Sequence, residues 1–167
     1  MIKTLANKIE TLIDVSGRAV SWLALLMVII TFIVVILRYL FDYGSIALQE
    51  SVTYMHATLF LVGAAWTLQH NAHVRVDIIY NRCSDKTRAL IDLLGSVFLL
   101  MPLMLFIAWI SWYYVADSWS VYEGSQEAGG LPGVFALKSL ILVMAALLVL
   151  QAVANILNAI TIVRGHH

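Results

Sequence analysis

Four stretches of this chain carry no Asp, Glu, Lys or Arg: Ala19–Leu37, Ser51–Val74, Leu93–Ala116 and Ser139–Val163, of 19, 24, 24 and 25 residues. A helix rises about 1.5 Å per residue and roughly 20 apolar residues cross about 30 Å of hydrocarbon, so each stretch is long enough to span a bilayer. The first, third and fourth are apolar on every side, which excludes a soluble bundle whose helices show a polar stripe to water. In lipid the backbone must satisfy its own hydrogen bonds, which leaves helices or a closed barrel, and uninterrupted runs without alternation exclude the barrel. The expected fold is all-α, a single integral-membrane four-helix bundle with spans at about 20–40, 48–70, 89–115 and 133–160. A hydrophobic share of 62% and a mean hydropathy of +0.90 agree with it.

Short loops rich in Lys and Arg stay cytoplasmic. Lys3, Lys8 and Arg18 precede the first span, Arg75, Arg82, Lys86 and Arg88 lie between the second and third, and Arg164 follows the fourth. The connections Asp42–Ala47 and Asp117–Gly133 have no base. Both termini are therefore expected inside. Arg38 and Lys138 depart from the pattern, both near outer helix ends where long side chains can snorkel to the interface.

The N-terminal apolar run outlasts a signal peptide's 7–15 residues and shows no small-residue cleavage site, so it is read as retained. Within Met1–Gly17, Ile2, Leu5, Ile9, Leu12 and Ile13 share one helical face. The segment is an amphipathic helix on the cytoplasmic surface, or an inner extension of the first span. Phe41–Ala47 reads as a tight turn around Gly44-Ser45, and Arg75–Arg88 as an apolar strip along the inner interface ending at an N-cap, Ser84. Gly124–Gly133 reads as an irregular outer loop, with Pro132 placed to open the last helix. Trp109, Trp112, Tyr113, Tyr114, Trp119 and Tyr122 form either an interfacial aromatic belt or a docking surface.

No catalytic chemistry fits this pattern. Cys83 is the sole cysteine, which excludes an internal disulfide and a two-thiol redox cycle. His56, His70 and His73 all belong to the second helix or its inner end, whereas a bis-histidine haem needs ligands converging from facing helices. Neither cofactor nor metal is expected. Arg38 and Glu50 flank the same outer hairpin, and a structural ion-pair clamp between them is preferred to a proton relay. Lys138 has Glu123 or Glu127 as partner.

Gln49-Glu50, Tyr54-Met55-His56, Phe60-Leu61-Val62-Gly63-Ala64-Ala65-Trp66-Thr67-Leu68 and His73-Val74-Arg75-Val76-Asp77, with Leu90–Gly95 and the later Gly124–Pro132 run, resemble the small membrane subunit (DctQ type) of tripartite ATP-independent periplasmic, or TRAP, transporters. The likeness covers about residues 20–160, and the chain resembles a branch associated with organic-acid, keto-acid and mannitol/chloroaromatic-type transporters.

The resemblance implies a division of labour. A periplasmic binding protein captures the solute and engages transiently, a large M-type permease subunit carries solute and sodium by an elevator movement, and the small subunit is a scaffold in the bacterial inner membrane. Its implied partners are the large subunit, the binding protein and the lipid bilayer; nucleic acid is not among them. The residues themselves agree, since four near-apolar helices offer too few polar groups to replace the hydration of an anion and its coupling ions. Nor do they show the broken helices of secondary transporters, Pro102 being the sole proline within a span. Interface candidates are Gln49, Glu50, His56, Gly63, Ala64, Trp66, His73, Arg75 and Asp77, with Gly63-Ala64-Ala65 allowing close packing either inside the subunit or against its partner. Candidates for docking on the outer face are Asp117, Trp119, Glu123 and Glu127. Two alternatives are an anchor subunit of a respiratory enzyme and a small multidrug exporter. The exporter's carboxylate lies deep in its first helix, unlike Glu50 at the start of the second.

Overall fold

A computed structural model describes residues 2–72 and 83–163. The chain is all-α: α1 (Ile2–Leu40), α2 (Ile46–Gln69), α3 (Asp85–Gly95), a π-helical turn (Ser96–Leu100), α4 (Met101–Ser120) and α5 (Val134–Val163). The third helix expected from sequence is the continuous rod α3–π–α4. Three rods, Lys3–Leu40, Lys86–Ser120 and Val134–Ile162, are long and apolar enough to cross a membrane. With 24 residues α2 is long enough as well, but Gln49, Glu50, His56 and Gln69 make it too polar to stand with those three.

The first helix runs unbroken for 39 residues, about 58 Å, so the inner-extension reading of the N-terminus is the one realised. The cause is packing. Ala6 and Ile13 are fully buried and Ile9 packs on the core, so one side of the segment is covered by protein, while Leu5 and Leu12 stay exposed.

Helix α5 runs through the middle and packs against α1, α2, α3 and α4. Its sequence permits this, because Ala145, Ala152, Ala154 and Ala159 are buried and let neighbouring backbones approach closely. The core draws one buried residue from each long helix: Ile13 from α1, Ala65 from α2, Met104 from α4 and Leu148 from α5.

Helix ends follow local chemistry. Asp42, at φ 49°, turns the chain out of α1, and Ser45 caps α2 by accepting the Leu48 N–H at 3.4 Å. At its other end α2 closes with Asn71 in the left-handed region (φ 52°), where Asn71 N–H bonds Leu68 O at 3.1 Å and Ala72 N–H bonds Thr67 O at 3.0 Å. This is a Schellman cap. Tyr122 does the same for α4, with its own N–H on Trp119 O and Glu123 N–H on Ser118 O. Ser84 caps α3, as expected, by accepting from Thr87 N–H at 3.3 Å. Helix α5 starts at Val134, so Pro132 stays in the loop just ahead of it.

The π turn was not expected, and Pro102 accounts for it. Proline lacks an N–H and its ring crowds the carbonyl four residues back, here Phe98, so the ladder widens and Met101 N–H bonds Ser96 O, five residues back.

Candidate functional site: a lateral groove and a locked outer loop

The N-terminal half of α1 and the C-terminal half of α2, the inner halves by the orientation expected from sequence, meet at a glycine. Gly17 is the one glycine in α1, and a Cβ there would collide with the Trp66 side chain. Above Gly17 the indole Nε1–H reaches Asp14 Oδ1 at 3.0 Å, and Asp14 is held in turn by Arg18 at 2.9 Å, one helical turn on. One turn deeper, Gln69 Nε2 donates to Glu10 O at 3.1 Å while Asn158 of α5 donates to the Glu10 carboxylate at 2.6 Å. Three helices are thus tied at their inner ends by a polar net. Sequence reasoning missed it, although Asp14 and Arg18 at i, i+4 and the lone Gly17 were its visible traces.

Beside this net, between the two helices, lies a groove of about 390 Å³ whose walls include Gly17, Ser21, His56, Gly63, Ala64 and Trp66. Four of the interface candidates, His56, Gly63, Ala64 and Trp66, therefore share one surface. A Cβ on Gly63 would meet nothing within 4 Å, so its open side is not used for packing inside this subunit. Buried Ala65, on the other side of α2, serves the internal contact. Gln49 is exposed near the outer end of α2. His73, Arg75 and Asp77, with most of the inner strip, lie outside the described residues.

Glu50 belongs to a different structure from the one expected. Its carboxylate accepts from the Ser125 hydroxyl and from Leu131 N–H at 2.6 Å, both in the outer loop. Arg38 is exposed, and among the described residues no ion pair joins it to Glu50. The clamp expected between them is replaced by a latch between α2 and the loop. The reason is geometric: the loop folds back over the start of α2 and offers an N–H and a hydroxyl, while Arg38 stays exposed. Gly130 makes this possible, because a Cβ there would stand 2.8 Å from Glu50 Oε2. Ser125 also accepts from Glu127 N–H at 3.1 Å, and Ser125 N–H bonds Leu131 O at 3.0 Å, so the loop is closed upon itself.

Of Lys138's two candidate partners the structure selects Glu123; the ammonium also lies 4.1 Å from the Tyr114 ring centroid. The hydrogen bond from Lys138 holds the Glu123 carboxyl below the usual carboxylate range. Trp119 donates to Ser139 Oγ at 2.8 Å and packs edge-on to Phe135. Two of the four outer docking candidates, Trp119 and Glu123, are therefore committed to internal contacts, while Asp117 and Glu127 are exposed. Among the described residues no group of three His, Cys, Asp or Glu side chains is placed to hold a metal ion.

The model of the DctQ component of tripartite ATP-independent periplasmic transporters matches residues 27–162. The chain belongs to the DctQ family. Family membership makes it a component of a transporter and a membrane protein, and sets the respiratory-anchor and multidrug-exporter alternatives aside. Its DctQ relatives include a C4-dicarboxylate TRAP transporter small permease protein of Vibrio cholerae, 30% identical over 99 residues that cover 58% of this chain and 43% of that protein. A TRAP transporter small permease protein of Haemophilus influenzae is 26% identical over 129 residues, covering 76% of this chain and 78% of that one. The chain thus spans less than half of the Vibrio relative's length. No solved structure matches.

Proposed function

We propose that this DctQ-family chain is a scaffold subunit that pairs with the large M-type permease subunit and supports sodium-coupled, binding-protein-dependent uptake of organic acids. It crosses the bacterial inner membrane four times, at about residues 20–40, 48–70, 89–115 and 133–160, with both termini in the cytoplasm. The observation that carries the reading is the α1–α2 groove. It gathers His56, Gly63, Ala64 and Trp66 on a lateral wall where Gly63 has no neighbour of its own.

The role is mechanical. An elevator moves its solute domain past a fixed wall, and that wall must resist tilting in lipid. Two features suit this chain to the task. Helix α5 packs against every other described helix, and the inner ends of α1, α2 and α5 are cross-tied through Glu10, Gln69 and Asn158. The buried polar side chains among the described residues are Ser96, Ser118 and Gln151, a poor set with which to replace an anion's hydration. His73, Arg75 and Asp77 would pin the inner end of α2 to the partner, Gln49 would extend the contact outward, and exposed Asp117 and Glu127 would meet the binding protein. The test is uptake in cells that keep the large subunit and the binding protein but lack this chain. Accumulation of the organic acid should vanish and return on re-expression; uptake that persists without the chain would overturn the reading.

A further inference from the structure

Halfway along α2 the groove holds one polar side chain that the subunit leaves unmet. The other polar groups on its walls are satisfied internally: Ser21 bonds Arg18 O at 2.8 Å, Thr67 bonds Gly63 O at 3.0 Å and the Trp66 indole bonds Asp14. His56 differs. It is exposed, stacks on exposed Phe60 with ring centroids 6.4 Å apart, and makes no hydrogen bond among the described residues. By the helical rise it stands about 15 Å from the outer end of α2 and about 20 Å from the inner end, the depth of the hydrocarbon core.

An imidazole facing acyl chains at that depth has no donor or acceptor to bond, and polar side chains within membranes turn to protein partners for that reason. Lipid could fill the groove by shape, yet it would leave His56 unsatisfied. A second helix can reach the ring, because the missing Cβ of Gly63 lets a foreign backbone come close. The inner rim adds a charge. Arg18 holds Asp14 at 2.9 Å, yet three-quarters of its side chain (75%) stays exposed beside Gly17, which meets Trp66, ten residues inward from His56 on α2, so the guanidinium keeps donors for a second carboxylate.

We infer that the groove receives a transmembrane helix of the large subunit bearing a hydrogen-bonding side chain opposite His56 and, about 15 Å or some ten positions further inward, a carboxylate opposite Arg18. The inference rests on the assembly reading above and specifies its partner surface. Its two polar anchors would fix the depth and rotation of the incoming helix, while the apolar wall between them supplies contact area.

The test co-expresses the tagged chain with the large subunit and measures how much large subunit is recovered in mild detergent. Each variant's thermal midpoint is measured on the isolated chain as well. Gly63→Leu and His56→Leu should each lower recovery about tenfold or more, Arg18→Glu several-fold, and His56→Gln should keep most of it, with the midpoint of His56→Leu unmoved. Full recovery with His56→Leu but loss with Gly63→Leu would overturn the polar contact and leave assembly standing. Full recovery with both would overturn the groove as the docking site. Failure of the unaltered chain to recover any large subunit would instead overturn the assembly reading itself.

Discussion

The carboxylate of Glu50 accepts the backbone N–H of Leu131 at 2.6 Å, across 81 residues of sequence. That bond and its companion from Ser125 join the first turn of α2 to the loop before α5, so both oxygens of a half-buried carboxylate accept from protein donors. Buried or half-buried carboxylates need such partners, and here a loop supplies them without a counter-ion.

Loop fastening by Glu50 has a direct consequence in hydrogen exchange. Glu50→Ala should speed exchange at the Leu131 and Ser125 amides by about tenfold or more, since both lose their closed environment. Gly130→Ala should do the same, by forcing a Cβ into Ser125 and Glu50. Arg38→Ala should leave both amides unchanged; equal effects of Arg38→Ala and Glu50→Ala would restore the ion-pair clamp.

Gly17 faces the same kind of test on the inner side. Gly17→Leu drives a side chain into Trp66, and overpacking of this sort destabilises by about 1–3 kcal/mol. The thermal midpoint of the purified chain should fall accordingly, whereas Gly63→Leu, whose Cβ meets open space, should leave it unchanged. Matching losses at the two glycines would mean that Gly63 also packs inside the subunit.

Much of this architecture is legible from residue order. Charge-free windows locate the helices because hydrocarbon forbids exposed backbone, and Ser84 marks a helix start because its hydroxyl sits three residues before an N–H with no helical partner. The tertiary partners of charged groups are not legible in the same way. Arg38 and Glu50 are close in sequence across a hairpin, yet Glu50 bonds to Leu131 because a closed loop folds over it, and nothing local announces that fold. The π turn was hidden for another reason: a proline inside an apolar run can kink, break or widen a helix, and only the neighbouring backbone decides which. In the candidate site, His56, Gly63, Ala64 and Trp66 could be named one by one, but their convergence depends on where Gly17 lets α1 approach α2.

Acidification tests the outer ion pair. Because Lys138 lowers the Glu123 carboxyl below its unfolded value of about 4.3, the stabilisation is present above that pH and is lost as pH falls through the lowered folded value. The thermal midpoint of the unaltered chain should therefore drop more steeply from about pH 5 to pH 3 than that of Glu123→Gln, and raised salt should shrink the difference. Identical pH profiles would show that the pair contributes nothing to folding.

The scaffold role itself is tested most directly by reconstitution. The purified chain alone, in vesicles with an imposed sodium gradient and an external organic acid, is expected to give no accumulation above passive leak. Vesicles that also hold the large subunit, supplied with the binding protein, are expected to accumulate the acid. Saturable, sodium-driven accumulation by this chain alone would contradict the scaffold role.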